Sequence, residues 1–361
     1  MTVATALVSG DDPLPQLVEE AAKKALDKAG LASVQSVLLF LTPEFASNIQ
    51  PVLAAVVRKT QCLKIIGGLA AGVFTESDWQ QDRPSVAMMV FGNGISFAHP
   101  NDNDEPLFCF SGRHPPVKWS SAKKRYGGMF LGSILGGSAT HQAVWKQAKI
   151  EPSLQIESCI TGRHTEFDVS TGLHILCPPQ RVDQSRIHDV QRLNGQNALT
   201  NLARSLPTGL SGAITEYLPY LVALVSDTEE SINPGPEIPN MAPVISANPD
   251  FSLTLSARVQ PEQYITWAIR RPPTAEMDMR RMIERLVIKM PNPEGALMFS
   301  CIGRGPYFYG GEDRDWAAMR ERFPDLPLIG VYGTGQIASF GQTPSHNDGE
   351  LHNSVVVALF G

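Results

Sequence analysis

The sequence has few cysteines and no long hydrophobic run. Five cysteines are scattered along 361 residues, an odd number, and no two of them form a C-x-x-C pair. A disulfide framework or a structural zinc site therefore does not fit, and buried, reduced thiols are expected. No segment reaches the roughly 18 uncharged apolar residues that a membrane-spanning helix needs. We expect no membrane insertion.

The chain also lacks an excess of positive charge. Lys and Arg total 30 against 36 for Asp and Glu, which gives a net charge of −6. Because a protein that grips nucleic-acid backbones carries the opposite sign, no nucleic-acid partner is expected. The N-terminus has no basic stretch followed by an apolar one, so it is not a signal peptide. These features predict a cytoplasmic protein with a small-molecule partner.

Two glycine-rich segments fail as nucleotide-binding motifs. The sequence 333–338 reads G-x-G-x-x-A after a predicted strand, but 340–344 cannot form the helix that would hold a pyrophosphate. The segment 67–72 is predicted to form a small-residue loop, and it has the glycine spacing of a P-loop without its lysine. The eight histidines include no pair at the i, i+4 spacing of a helical metal site, so no metal is predicted.

Hydrophobic periodicity predicts a mixed α/β fold, and the length suggests about two domains. Helices are predicted at 14–30, 51–59, 195–206, 277–288 and 313–323. Strands are predicted at 34–41, 63–74, 85–91, 174–178, 251–259, 264–270, 295–299, 326–332 and 354–360. The segment 229–250 carries five prolines and is predicted to be an exposed loop or linker.

The two ends of the chain repeat one plan. Leu39-Phe40 can be matched with Met298-Phe299, Ile66-Gly67 with Ile329-Gly330, and 85–92 with 354–361. The order of the matched segments and their glycine positions agree. We therefore predict two related β-α-β-β units that arose by internal duplication and pack as a layered α/β sandwich.

The most distinctive local feature is the segment 299–305. A predicted strand ends there in a small, glycine-flanked turn that carries Arg304. Ligands in α/β folds bind at strand ends, glycines let them approach backbone amides, and an arginine can grip a carboxylate with two hydrogen bonds.

Three blocks in order resemble the FIST C-terminal domain: 295–305, 327–337 and 351–360. The segments 37–45, 65–74 and 190–207 resemble the FIST N-terminal domain more loosely. The resemblance implies a FIST N-terminal-like domain at 1–210 and a FIST C-terminal-like domain at 211–361. It also implies a sensory protein that binds a small ligand, such as an amino acid or a related carboxylate, and signals through a separate protein. The family's second block usually reads G-E-I, whereas this chain has Gln336 in place of the glutamate.

The predicted ligand site combines this turn with the adjacent strand and with the N-terminal glycines. Arg304 would hold an anionic group of the ligand. The predicted ligand-binding residues are Gly67, Gly68, Gly72, Ser300, Cys301, Gly303, Arg304, Gly305, Tyr332, Gly333 and Gln336.

Two other interpretations stay open. A subgroup of the family binds haem and senses nitric oxide, and His352 is the histidine we keep as a candidate axial ligand. The other interpretation is an enzyme in which Cys301, beside Arg304, acts as a nucleophile. The enzyme is the least favoured interpretation, because no motif supplies a base. No cofactor is predicted for the sensor.

Overall fold

The structure is a computed structural model, and it describes residues 2–31, 33–100, 104–114, 123–130, 142–207, 213–229, 240–339 and 350–361. The chain divides into two compact units. Unit 1 holds the described residues up to Ser170 and those from Met279 onward, and unit 2 holds Thr171–Asp278. The compact units divide the chain after Ser170 and after Asp278. The boundary predicted at residue 210 separates two family domains rather than two compact units, and it stays a prediction.

Unit 1 begins with a mixed α/β segment. Its elements are β1 (Val3–Ser9), α1 (Pro15–Ala29), β2 (Ser36–Leu41), α2 (Ile49–Thr60), β3 (Ile65–Leu69), β4 (Gly72–Thr75), β5 (Trp79–Gln80) and β6 (Ser85–Phe91). Both helices end at a residue in the left-handed conformation, Gly30 and Gln61. Their apolar faces pack on the sheet that contains β2 and β3.

A second segment of unit 1 is built from strands alone among the residues that the structure describes between 96 and 161. These strands are β7 (Ser96–Ala98), β8 (Leu107–Ser111), β9 (Arg125–Met129), β10 (Val144–Lys146), β11 (Lys149–Ile150) and β12 (Gln155–Thr161). The strand β13 (Thr165–Ser170) follows and ends the first part of unit 1.

Unit 2 comes next, and α4 leads out of it. The elements are β14 (Leu173–Ile175), β15 (Gln180–Arg186), β16 (Asp189–Leu193), β17 (Gln196–Asn197), α3 (Ala198–Ser205), β18 (Leu221–Ser226), β19 (Asn240–Ala247), β20 (Leu253–Leu255), β21 (Tyr264–Arg270) and α4 (Pro272–Lys289). Unit 1 resumes within α4 and closes with β22 (Gly295–Cys301), α5 (Arg314–Arg322), β23 (Leu328–Gly333), β24 (Gly335–Ser339), β25 (Glu350–Leu351) and β26 (Val355–Phe360).

Unit 2 is an antiparallel sheet that closes on itself. The strands run in the order β14-β21-β15-β16-β20-β19-β18, and β18 pairs again with β21. Its own core includes Trp267, Val190 and Leu253. The prediction of a loop throughout 229–250 was wrong for 240–247, which form β19 with Pro243 inside it. Residues 230–239 of that segment lie outside the described part of the chain.

The three sheets of unit 1 share one plan. Their strand orders are β1-β6-β2-β3-β10-β11, β7-β12-β8-β9-β24-β25 and β13-β26-β22-β23-β4-β5. In each sheet the third and fourth strands are parallel and every other pairing is antiparallel. The last two strands of each sheet come from another segment of unit 1: β10 and β11 join the first sheet, β24 and β25 the second, and β4 and β5 the third. The first segment, the second segment and the segment after α4 thus exchange strand pairs in a cycle. This arrangement has pseudo-three-fold symmetry.

The mixed α/β class is confirmed by this architecture. The segments matched by sequence lie at equivalent positions: Phe40 and Phe299 occupy the same place in their sheets, as do Gly67 and Gly330. Sequence analysis predicted only two such units and missed the second segment, 96–161, in which no described helix separates the strands. Duplication as the origin of the repeat stays a prediction.

Candidate functional site

The predicted turn lies where two parallel strands of unit 1 end. β22 and β23 run side by side, with Cys301 opposite Gly333. The chain then makes two short 3₁₀ turns, Ile302–Arg304 and Pro306–Tyr309. Because the carboxyl ends of parallel strands are common ligand sites in α/β folds, we call this region the strand-end cluster. It consists of Gly72, Gln81, Ser170, Ser300, Arg304, Gly305, Tyr309, Asp313, Asp315 and Tyr332.

Arg304 has a partner that sequence reasoning did not foresee. Its guanidinium is 1% exposed and donates from Nε to Asp315 Oδ2 at 2.9 Å and from Nη2 to Asp315 Oδ1 at 3.0 Å. Two further bonds reach the Ser170 carbonyl at 2.9 Å and the Ser170 hydroxyl at 2.8 Å. The anion expected for Arg304 is thus supplied by the protein itself, and a ligand carboxylate would have to displace it.

Two aspartates and two tyrosines complete this buried network. The Tyr309 hydroxyl donates to Asp315 at 2.9 Å, and the Tyr332 hydroxyl donates to Asp313. Burial raises the pKa of the Asp315 carboxyl to about 6, although Arg304 opposes that shift. Burial also raises the pKa of Asp313 and of Tyr332. Arg304 is the single positive group of this network and faces two carboxylates, so little positive potential is left for a ligand.

Gln81 lies against this network with its polar atoms unused. The residue is 8% exposed, and neither side-chain amide atom has a hydrogen-bond partner within the described ranges. A Cβ on Gly72 would lie 2.6 Å from Gln81 Cγ, and one on Gly305 would lie 3.1 Å from Gln81 Nε2 and 3.2 Å from the Tyr332 ring. Gly72 and Gly305, two of the glycines predicted to bind the ligand, thus leave room for Gln81, which sequence analysis did not single out.

Ser300 lies on the same face as Tyr332. The two residues are register partners on parallel strands, so their side chains project to the same side of the sheet. The Ser300 hydroxyl is fully buried and has no hydrogen-bond partner among the described residues. The cluster therefore contains a hydroxyl and a carboxamide that are buried and uncompensated.

Cys301 and Gly303 lie beside the closing segment of the chain. The buried Cys301 sulfur is 3.9 Å from the Thr334 carbonyl oxygen and 4.0 Å from Asn353 Oδ1. Neither oxygen is a base, so these contacts give the enzyme interpretation no support. A Cβ on Gly303 would lie 2.3 Å from Asn353 Oδ1, which explains the glycine by packing.

His352 does not offer a free ring nitrogen. Its Nδ1 lies 3.2 Å from the Thr334 carbonyl and its Nε2 lies 3.1 Å from Glu350, and about half of the side chain is exposed. An iron atom would have to replace one of these contacts. The geometry therefore does not fit an axial haem ligand in this conformation, and haem binding stays a prediction without a supporting contact.

The remaining predicted residues lie in other parts of unit 1. Gly67 and Gly68 are inside β3, so the predicted loop at 67–72 was wrong: only Ala70 and Ala71 separate β3 from β4. Gly333 ends β23 beside the Met129 carbonyl. Gln336 lies in β24, fully buried.

A surface cleft of unit 1 lies among residues that sequence analysis did not select. It encloses about 720 Å³ and contains His164 between Glu105 and Glu166, each 3.1 Å from a ring nitrogen. These carboxylates raise the pKa of His164, with the hydrogen bond to Glu105 as the largest cause. Within the described ranges no group of three or more His, Cys, Asp or Glu side chains is arranged to hold a metal ion. None of the described helices is long and apolar enough to span a membrane.

Comparison with known proteins gives one family match, in the C-terminal half of the chain, and several relatives that share a stretch of fewer than 100 residues with it. The FIST C domain family matches residues 197–339, which run from the start of α3 through β24. An uncharacterized protein of Mycobacterium tuberculosis (strain ATCC 25618 / H37Rv) is 32% identical over 98 residues, 27% of this chain and 24% of that protein. An uncharacterized protein of Mycobacterium bovis (strain ATCC BAA-935 / AF2122/97) is 30% identical over 96 residues, 26% of this chain and 25% of that protein.

This chain therefore matches about a quarter of the length of each of these relatives. The family match starts in unit 2 and ends in unit 1, and it contains Ser300, Arg304, Tyr332 and Gln336. FIST domains are associated with sensory signal transduction. The resemblance noted in the sequence is confirmed for two of its C-terminal blocks, 295–305 and 327–337, which lie inside the region that matches the FIST C domain family.

Proposed function

We propose that this protein is a cytoplasmic sensor that binds a small polar ligand at the strand-end cluster. The observation that carries the proposal is Gln81, a buried carboxamide whose two polar atoms have no partner in the part of the chain that the structure describes. Leaving such a group unbonded costs about 1–3 kcal/mol. A ligand that supplied both hydrogen bonds would recover this free energy on binding.

An amino acid is the ligand class to test first. Its carboxylate can accept from Gln81 Nε2 while its ammonium group donates to Gln81 Oε1, so a neutral carboxamide can serve both ends of a zwitterion. The Ser300 hydroxyl adds one more unused donor nearby. Arg304 takes no direct part in this scheme: it is a positioning residue that holds the turn through Asp315 and Ser170.

The test is a thermal-shift titration with the twenty amino acids and related acids. A ligand present at 100 times its Kd stabilises the folded state by about 2.7 kcal/mol, which raises Tm by several degrees. We expect at least one amino acid to raise the Tm of the wild-type protein in a dose-dependent way. Gln81→Met should abolish this shift while raising the Tm of the free protein, because the uncompensated amide is removed.

The matched control is Gln80→Met, which changes a partly exposed neighbour in β5. That variant should keep the wild-type ligand shift. A wild-type protein that responds to none of the compounds, or a Gln81→Met variant that responds as the wild type does, would contradict the proposal.

A further inference from the structure

The pseudo-three-fold symmetry of unit 1 shows which residues are equivalent. In each sheet a phenylalanine on the third strand is the register partner of a residue on the fourth strand, and that residue is the partner of one on the fifth. The three rows are Phe40-Gly68-Val144, Phe110-Gly128-Gln336 and Phe299-Val331-Val73. Gln336 therefore takes the place that valine holds in the other two sheets.

Gln336 departs from its equivalents by carrying two polar atoms into the interior. The residue is 0% exposed, and both its amide nitrogen and its amide oxygen lack a hydrogen-bond partner in the described ranges. Valine at the two equivalent positions shows that the fold itself does not need a polar side chain there. The glutamine thus has no packing role that an apolar residue could not fill.

The side chain of Gln336 faces aromatic rings. Gln336 and Gly128 are direct partners on antiparallel strands, so they share one face of the sheet. On that face a Cβ at Gly128 would lie 3.1 Å from the Phe130 ring and 3.2 Å from the Phe299 ring. Glycine at this position lets both rings approach the strand beside Gln336.

These rings belong to a cluster to which each of the three sheets contributes one phenylalanine, Phe40, Phe110 or Phe299. Phe110 lies 5.2 Å from Phe40, 5.8 Å from Phe130 and 5.7 Å from Phe299, measured between ring centroids. We call these four residues the aromatic core. A charged ligand would lose its hydration here without a counter-ion, whereas an uncharged ring can stack at little cost.

We propose that Gln336 and the aromatic core form a second, buried binding site in unit 1. Its ligand is a compact, uncharged, flat molecule that presents a hydrogen-bond donor and an acceptor side by side, as a primary amide on an aromatic ring does. The ligand's N–H donates a hydrogen bond to Gln336 Oε1, and its carbonyl oxygen accepts a hydrogen bond from Gln336 Nε2. The aromatic ring of the ligand packs on the phenylalanines. The site is separate from the strand-end cluster, so its test does not bear on the proposed function.

The test compares benzamide with acetophenone by isothermal titration calorimetry on the full-length protein. The two molecules have nearly the same shape, but acetophenone has a methyl group where benzamide has its N–H donors. Since one hydrogen bond contributes about 0.5–1.5 kcal/mol, we expect benzamide to bind about two- to tenfold more tightly than acetophenone. Gln336→Met should bind the two compounds equally.

The matched control is Gln155→Met, which alters a partly exposed glutamine on β12 of the same sheet and should keep the benzamide preference. The free Gln336→Met protein should melt above the wild type, which shows that it is folded. Absence of benzamide binding to the wild-type protein would overturn the proposal, and so would a preference for benzamide that survives in Gln336→Met.

Discussion

The buried ion pair of Arg304 and Asp315 decides how the strand-end turn is held. The pair has two hydrogen bonds of its own, and Arg304 adds two more to Ser170 at the end of β13. Such a pair is strongly coupled, because either charge alone would be desolvated without compensation. The arginine therefore links the turn, α5 and β13 within unit 1.

Removing Arg304 should destabilise the protein severely. Arg304→Met leaves the Asp315 carboxylate buried without its counter-ion, and we expect a loss of about 3–5 kcal/mol in the free energy of unfolding. The double variant Arg304→Met/Asp315→Leu should recover most of that loss. Urea unfolding of the three proteins measures both changes.

A surface arginine that only gripped a ligand would behave differently. In that case Arg304→Met would unfold at the same urea concentration as the wild type, and the second substitution would have no effect to reverse. The comparison thus separates a positioning residue from a ligand-binding one without knowledge of the ligand.

At the scale of single strands, close backbone packing explains three equivalent glycines. Gly67, Gly127 and Gly330 follow the same register in the three parallel strand pairs of unit 1. A Cβ at these positions would lie 1.6, 1.9 and 2.5 Å from a carbonyl oxygen of the adjacent strand. Each distance is far below van der Waals contact, so none of the three sheets can accept a side chain there.

Gly67→Ala should therefore prevent normal folding of unit 1 or destabilise it by several kcal/mol, because backbone rather than a flexible side chain blocks the methyl group. The matched control is Gly112→Ala, whose methyl group would meet only side-chain atoms at 3.3 Å or more. Circular dichroism melts should show a large loss for the first variant and a small one for the second. Equal melting of the two would contradict this account of the strand pairing.

At the scale of the whole molecule, the two units have separate hydrophobic cores. Trp145 is fully buried in the core beneath the first sheet of unit 1, and Trp267 is fully buried in the closed sheet of unit 2. The Trp267 indole donates to Asn201 at 2.9 Å, which fixes α3 against β21. Each tryptophan thus reports on one core.

We expect damage to one core to loosen that unit first. Trp267→Ala removes a large buried side chain, a change that costs about 3–5 kcal/mol, and should raise amide hydrogen exchange in β16 and in β18 to β21. Trp145→Ala should raise exchange in β2, β3 and β10 instead. Mass spectrometry of peptides from both units would detect the difference. If either variant raised exchange equally in both units, the cores would not be independent.

The sequence determined much of the secondary structure and the resemblance to the FIST C domain family. The strands Ser85–Phe91 and Tyr264–Arg270 begin and end where apolar runs and turn residues predicted them. Helix α5 starts after Asp313, whose carboxylate accepts the Trp316 N–H at 2.9 Å, as a predicted N-terminus at 313 requires. These features depend on neighbouring residues alone, so local patterns suffice to find them.

Tertiary structure decided what the polar residues do. Arg304 and Asp315 are eleven positions apart and become an ion pair only because the turn after β22 folds back over α5. Gln81 reaches Gly305 and Tyr332 because β4 and β5 cross into the sheet of β22 and β23. The contrast between Gln336 and the valines at its two equivalent positions becomes visible only when the three sheets are aligned by their strand register. Hydrogen-bond partners and symmetry equivalents are long-range relations between strands, and a pattern read along one chain does not contain them.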